Sequence, residues 1–86
     1  MTYKIEITSG ARRTIHRLPP KVAFAVLDFI EGPLAAQPHR VGKPLQDELE
    51  GLWSCRVADY RVLYAIHEDI VVVRVARIAH RSDVYR

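Results

Sequence analysis

The chain has 86 residues, enough for one modest hydrophobic core and too few for two, so residues 1–86 are treated as a single domain. Apolar residues make up 49% of the chain and charged residues 27%, which excludes the disordered and fibrous classes of protein. The formal net charge is +3, and among the thirteen cationic residues only Lys4, Lys21 and Lys43 are not arginine. Arginine favours planar, bidentate binding of phosphate, although charge alone favours an ordinary solvated surface.

The cysteine and histidine residues limit which disulfides and metal sites the chain can form. The single cysteine, Cys55, excludes an internal disulfide and a cysteine-based zinc site, and no two histidines stand at metal-ligand spacing. We therefore predict no metal and no cofactor. The N-terminus lacks the apolar core of a signal peptide, and the longest apolar run, residues 70–73, is too short to cross a bilayer. We expect a cytoplasmic protein with no membrane partner.

The first elements are a strand and a helix. Residues 3–7 alternate apolar and polar side chains, which predicts a half-buried β-strand. Ser9 is placed to cap the helix that follows, and Pro19-Pro20 is expected to end it. The apolar stripe of this helix consists of Ala11, Ile15 and Leu18.

A second helix is predicted from Pro20 to Gly32-Pro33, which should stop it. Its apolar residues recur at helical spacing, at Val22, Val26, Phe29 and Ile30. The two helices would form an antiparallel hairpin. Between Leu34 and Gly51 prolines and glycines punctuate the chain, which predicts one short helical turn and then a loop.

The C-terminal part is rich in β-branched and aromatic residues and predicts three strands, at residues 52–57, 60–66 and 70–78. Short turns separate them, so they should form an antiparallel meander. With the N-terminal strand, this predicts an α+β domain in which a helical hairpin packs on one face of a four-stranded sheet.

Strand alternation places Arg56 and Arg61 on the face away from the helices, on either side of the turn Ala58-Asp59. A phosphate held by these two side chains and Arg81 would gain charge-assisted hydrogen bonds that favour the more negative transition state of phosphodiester cleavage. On residue types alone, a solvated surface is the favoured interpretation.

Two residues near the C-terminus have side chains suited to base stacking or proton exchange. Tyr85 can stack on a nucleobase or anchor the tail over the sheet edge, and both interpretations stay open. His80 can exchange protons or be structural, as histidine side chains do in proteins. Glycine-rich phosphate loops, Ser-His-Asp order and paired catalytic carboxylates are absent from the sequence. A nuclease of this kind would use attack by the 2′-hydroxyl of RNA.

Several motifs resemble those of the RelE toxins of the RelE/ParE superfamily, in their short mycobacterial-like form, over nearly the whole chain. They are Gly42-Lys43-Pro44-Leu45, Leu49-Glu50-Gly51-Leu52-Trp53, Arg56-Val57-Ala58-Asp59-Tyr60-Arg61-Val62-Leu63-Tyr64 and His80-Arg81-Ser82-Asp83-Val84-Tyr85. The resemblance implies a RelE-like fold and the toxin of a type II toxin-antitoxin system. The implied activity is a metal-independent endoribonuclease that cuts messenger RNA in the ribosomal decoding site and so inhibits translation.

The resemblance also implies roles for individual residues. Arg56 and Arg61 would stabilise the scissile phosphate, Arg81 would add charge, and Tyr85 would stack on or orient the messenger. Further RNA contacts are expected from Lys43, Ser54, Arg13 and Arg17. Where relatives carry a lysine two residues before the cation equated with Arg56, this chain has Ser54. The general acid is therefore open, and His80 is the expected substitute.

The expected partners are a cognate antitoxin, either RelB-like or Phd/YefM-like, together with the ribosome and messenger RNA. Operator DNA would be contacted only through the antitoxin complex. An alternative is a ParE-like inhibitor of DNA gyrase without nuclease activity, although the tail containing His80, Arg81 and Tyr85 favours the RNA-cutting branch. A third reading is an inactive module that serves only to assemble an antitoxin complex.

Overall fold

The structure is a computed structural model that describes residues 2–83, and Tyr85 lies outside this range. Its strands are β1 (Lys4–Ile7), β2 (Lys43–Pro44), β3 (Trp53–Val57), β4 (Tyr60–His67) and β5 (Val72–His80). The helices are α1 (Ser9–Arg17), α2 (Pro20–Phe29) and α3 (Pro38–Val41), with a π-turn at Ile30–Leu34 and 3₁₀ turns at Asp47–Leu49 and Arg81–Asp83. The strands form one mixed sheet in the order β1-β5-β4-β3-β2, in which β1 and β5 are parallel. The α+β class is as predicted.

The sheet has five strands where four were predicted. The extra strand, β2, lies in the segment that was read as a loop, and it pairs Lys43 with Ser54 and Pro44 with Trp53 at the β3 edge. Two residues are too few to show an alternating pattern, and Pro44 is compatible only with an edge position because it cannot donate a ladder hydrogen bond. The predicted helical turn in this segment is present as α3.

The cap of α1 is Thr8, not Ser9 as predicted. Thr8 still has extended backbone angles, and its Oγ1 accepts a hydrogen bond from the Ala11 N–H at 3.2 Å. The same hydroxyl donates to the Ala76 carbonyl at 3.0 Å and so ties the start of the helix to β5. Ser9 has already entered the first helical turn, so its hydroxyl is one position too late to cap it.

α2 itself ends at Phe29, but the helical path of the chain does not stop at Gly32-Pro33 as predicted. The chain continues through the π-turn Ile30–Leu34, which contains Pro33. The wider turn accommodates a residue that lacks an N–H and would clash in a regular α-helix. Ile30 and Leu34 are both fully buried, and burial of each contributes about 1.5–3 kcal/mol, which favours continuation over a break.

The helices and the sheet share one core. Its fully buried members include Val26 from α2, Val62 and Tyr64 from β4 and Val75 from β5. Cys55 of β3 also faces this core, and burial raises the pKa of its thiol to about 12. The candidate site lies on the opposite face of the sheet, away from this core.

Two contacts hold α3 against the sheet. The buried Tyr64 hydroxyl donates a 2.6 Å hydrogen bond to the Pro38 carbonyl, and burial raises the pKa of Tyr64 above its usual range. On the surface, His39 pairs with Glu68, which also accepts a 2.8 Å hydrogen bond from the Tyr3 hydroxyl. The hydrogen bond from Tyr3 is the main reason that the pKa of Glu68 is lowered.

Candidate phosphate-binding groove

Arg56 and Arg61 lie directly opposite each other on β3 and β4. The intervening turn places Ala58 at a φ of 55°, and the Arg56 Nε donates a 3.2 Å hydrogen bond to the Ala58 carbonyl. Side chains at directly opposed positions of an antiparallel pair have Cβ atoms about 4.5–5.5 Å apart. The predicted common face of these two arginines is therefore confirmed, and the fold holds two cations close enough to approach one anion.

The two arginines line a groove of about 280 Å³ between β3, β4 and the segment that contains α3 and β2. Its other lining residues are Arg40, Val41, Gly42, Lys43, Ser54 and Cys55. Among the described residues, those that line the groove include four cationic side chains and no acidic one. Such a concentration of positive charge in a concave surface attracts an anion, and guanidinium groups bind phosphate oxygens in pairs.

Ser54 is the unusual member of this groove. The residue is 7% exposed, and within residues 2–83 its Oγ has no hydrogen-bond partner. Buried hydroxyls are normally hydrogen-bonded, because leaving one without a partner costs about 1–3 kcal/mol. This hydroxyl has almost no accessible surface, so it forms a buried part of the groove wall.

Arg81 reaches the same end of the sheet. Its backbone N–H donates a 2.8 Å hydrogen bond to the Asp59 carbonyl, in the turn that joins the two arginine-bearing strands. The side chain is exposed at the start of the C-terminal 3₁₀ turn. The structure therefore brings the backbones of Arg56, Arg61 and Arg81 to one corner of the domain.

His80 lies at that corner but on the other face of the sheet. It pairs with Tyr60, whose ring packs against the core, whereas Arg61 pairs with Ala79. The His80 ring stands edge-on to Tyr60 at 5.2 Å, and its Nδ1 accepts a hydrogen bond from Ser82. His80 is thus not among the side chains that line the arginine groove, and its role as general acid stays a prediction.

The remaining predicted RNA contacts divide between two regions. Lys43 and Ser54 line the groove, but Arg13 and Arg17 are exposed on α1. Arg17 lines a different cavity of about 580 Å³, on the helix side, together with His80. Arg40 was missed by the sequence reasoning, because it belongs to a four-residue helix whose position depends on tertiary contacts.

Residues 5–85 match the family model of the ParE toxin of type II toxin-antitoxin systems, parDE. The chain belongs to the RelE/ParE superfamily of toxins. Toxin RelG of Mycobacterium tuberculosis is 45% identical over 86 residues, which cover 100% of this chain and 99% of RelG. Toxin RelE of the same organism is 50% identical over 84 residues, which cover 98% of this chain and 87% of that toxin. These relatives show that the chain is a RelE-type toxin.

Solved structures agree with this assignment. The toxin-antitoxin complex RelBE2 from M. tuberculosis contains a chain that matches this toxin with a TM-score of 0.90 and 43% identity, over 94% of this chain and all of that one. The archaeal RelE–RelB complex from Pyrococcus horikoshii matches with a TM-score of 0.70 at 22% identity, over 98% of this chain and all of that one, which shows the common fold.

The described part of the toxin lacks both a metal-binding cluster and a membrane-spanning helix. Within residues 2–83, no three histidine, cysteine, aspartate or glutamate side chains cluster closely enough to hold a metal ion. No helix of the described chain is long and apolar enough to span a bilayer.

Proposed function

We propose that this RelE-type toxin is a metal-independent endoribonuclease that cuts messenger RNA in the ribosomal decoding site and so stops translation. The observation that carries the proposal is the directly opposed pair Arg56 and Arg61 in a groove lined by cations. Like charges at opposed positions repel each other, and an anion bound between them would reduce this repulsion. A phosphodiester is the anion whose geometry suits two guanidinium groups.

The proposed reaction is an internal transfer. The 2′-oxygen of the messenger attacks the adjacent phosphorus, the bond from phosphorus to the 5′-oxygen breaks, and a 2′,3′-cyclic phosphate and a free 5′-hydroxyl form. The 2′-hydroxyl loses its proton and the leaving 5′-oxygen gains one. Arg56 and Arg61 would bind the non-bridging oxygens most strongly in the transition state, where the phosphorane carries its greatest negative charge.

The ribosome would supply the alignment of the reacting atoms, which the groove alone does not provide. In-line attack requires the 2′-oxygen, phosphorus and 5′-oxygen to be aligned, and a flexible single strand rarely adopts that geometry by itself. Binding in the decoding site can hold the messenger strand in place. We propose that Arg81 adds charge from its corner, and that Tyr85 stacks on a messenger base. His80 is retained as a candidate proton donor.

The same groove offers a means of inhibition. The RelBE2 and archaeal relatives were solved as complexes of toxin with antitoxin. We propose that a cognate antitoxin, RelB-like or Phd/YefM-like, binds this toxin in the cytoplasm and covers the cationic groove with an acidic segment. Contact with operator DNA would then occur only through the antitoxin complex.

A second candidate function is inhibition of DNA gyrase without RNA cleavage. The observation in its favour is that the matching family model is that of the ParE toxin. The cation-lined groove favours the nuclease, because two opposed arginines are suited to a phosphodiester.

The deciding experiment adds purified toxin to ribosomes programmed with a defined messenger and maps cleavage by primer extension, with gyrase supercoiling measured in parallel. We expect cuts only when ribosomes are present, and none at a position where the messenger carries a single 2′-deoxynucleotide. Loss of supercoiling without messenger cleavage would reject the nuclease in favour of the gyrase inhibitor.

A further inference from the structure

Glu68 joins segments of the toxin that are far apart in the sequence. It lies in the turn after β4, where its carboxylate accepts a 2.8 Å hydrogen bond from the Tyr3 hydroxyl and pairs with the His39 imidazole of α3. The Tyr3 backbone N–H also donates a 2.9 Å hydrogen bond to the Ala35 carbonyl, just ahead of α3. One carboxylate therefore ties α3 and the start of the chain to the turn between β4 and β5.

Aromatic contacts give this cluster a defined shape. The His39 ring stands edge-on to the Trp53 ring, with centroids 5.4 Å apart, and edge-on to the Tyr3 ring at 6.3 Å. Trp53 in turn stacks on Tyr64 at 6.5 Å, and Tyr64 donates the buried hydrogen bond to Pro38 of α3. The His39 imidazole is thus held between the Glu68 carboxylate and the sheet.

The last residues of α3 border the cationic groove. His39 is followed directly by Arg40, in a helix of four residues whose N-terminus has no side-chain cap. A single helical turn is not stable by itself, so its orientation depends on the tertiary contacts that it makes. Arg40 and residues 41–43 line the groove. The contact at His39 therefore acts on the position of the Arg40 guanidinium.

We propose that Glu68, His39 and Tyr3 form a latch that sets the orientation of α3 and so presents Arg40 to the groove. Glu68 and Tyr3 are positioning residues, because neither is among the described residues that line the groove. Glu68 acts through geometry and against its own charge, since a carboxylate on the toxin by itself disfavours binding of an anion. The inference rests on the proposed function in that the ligand of the groove is RNA.

The first test measures binding of a short 2′-O-methyl oligoribonucleotide, which cannot be cleaved, to the purified toxin at low salt. Glu68→Ala should weaken binding about threefold, because α3 loses its surface contact. Asp69→Ala is the matched control, since it removes the same charge from an exposed position in the same turn. The control should leave binding unchanged or slightly tighter. The two variants thus differ in the sign of the effect, which charge alone cannot produce.

A double-mutant cycle identifies Arg40 as the residue that the latch positions. Arg40→Ala should itself weaken binding, because it removes a cation from the groove, and Glu68→Ala should then cause no further weakening. Tyr3→Phe keeps the ring beside His39 but loses the hydroxyl, so its affinity should fall between those of the wild type and Glu68→Ala. Binding by Glu68→Ala as tight as by Asp69→Ala, or an equal loss in the Arg40→Ala background, would overturn the latch.

A second measurement does not depend on RNA. In two-dimensional amide NMR spectra of the toxin, Glu68→Ala should shift the indole signal of Trp53, the single tryptophan, and the backbone signals of residues 40–43. Asp69→Ala should leave these signals in place. If the wild type neither binds the oligonucleotide nor cuts messenger on programmed ribosomes, the proposed function is rejected, and the spectra still decide the latch. Unshifted signals in Glu68→Ala would reject the latch alone.

Discussion

Arg56 and Arg61 are opposed in register across a two-residue turn, so two like charges stand side by side on one face of the sheet. We predict that Arg61→Ala and Arg56→Ala each slow messenger cleavage at least tenfold, which corresponds to about 1.4 kcal/mol in the barrier. Arg56→Ala should change the free energy of unfolding by no more than about 0.5 kcal/mol, because relief of like-charge repulsion offsets loss of the hydrogen bond to Ala58.

Single-turnover cleavage on ribosomes and urea unfolding measure the two quantities. Arg12→Ala, at an exposed position on α1 outside the groove, is the control and should cut at the wild-type rate. Near-native cleavage by Arg61→Ala would refute the phosphate clamp.

Tyr85 belongs to the C-terminal motif and lies outside the described residues. We predict that Tyr85→Ala slows cleavage at least tenfold, since loss of one stacking contact costs about 1–3 kcal/mol. Tyr85→Phe keeps the ring and should retain most of the rate if stacking is the role. A Phe variant as slow as the Ala variant would show instead that the hydroxyl group is required.

Gly42 is predicted to be intolerant of any side chain. Gly42→Ala should lower the free energy of unfolding by about 1–3 kcal/mol, because the new methyl group would overlap the Tyr64 hydroxyl and the Ser54 carbonyl. Gly10→Ala is the matched control, since nothing lies within 4 Å of its added Cβ and the residue is in α1. That control should be neutral or stabilising by up to about 1 kcal/mol. Equal stabilities for the two variants would contradict the packing argument.

The stability of the fold should fall at alkaline pH. Burial raises the pKa of the Cys55 thiol to about 12 from a usual value of 9.0, so above pH 9 the unfolded chain releases a proton that the folded chain keeps. The stabilising contribution of the buried, protonated Cys55 thiol is complete below pH 9 and is lost as the pH rises towards 12. For one proton the slope is at most about 1.4 kcal/mol per pH unit.

Urea titrations between pH 8 and 11 compare the wild type with Cys55→Ala, which lacks the thiol but keeps Tyr64. The variant should show the shallower alkaline slope. Parallel slopes would mean that the thiol ionises equally in both states.

His80 faces Tyr60 and not the arginine groove, so we predict that His80→Gln slows cleavage less than tenfold. The pH dependence of single-turnover cleavage is the decisive measurement, because a proton donor at this position would impose a break in the pH–rate profile that the variant removes. A larger loss of rate together with loss of that break would establish His80 as the acid.

The amino-acid sequence by itself determined the α+β class, the three-strand meander and the common face of Arg56 and Arg61. These follow from period-two alternation and a two-residue turn, which leave little freedom in the register of neighbouring strands. Only the tertiary structure decided that Lys43 lies beside Ser54 and that Arg40 joins the groove. The physical reason is that β2 has two residues, one of them proline, so it carries no periodic signal, and its place depends on the contact of Gly42 with Tyr64, distant in sequence.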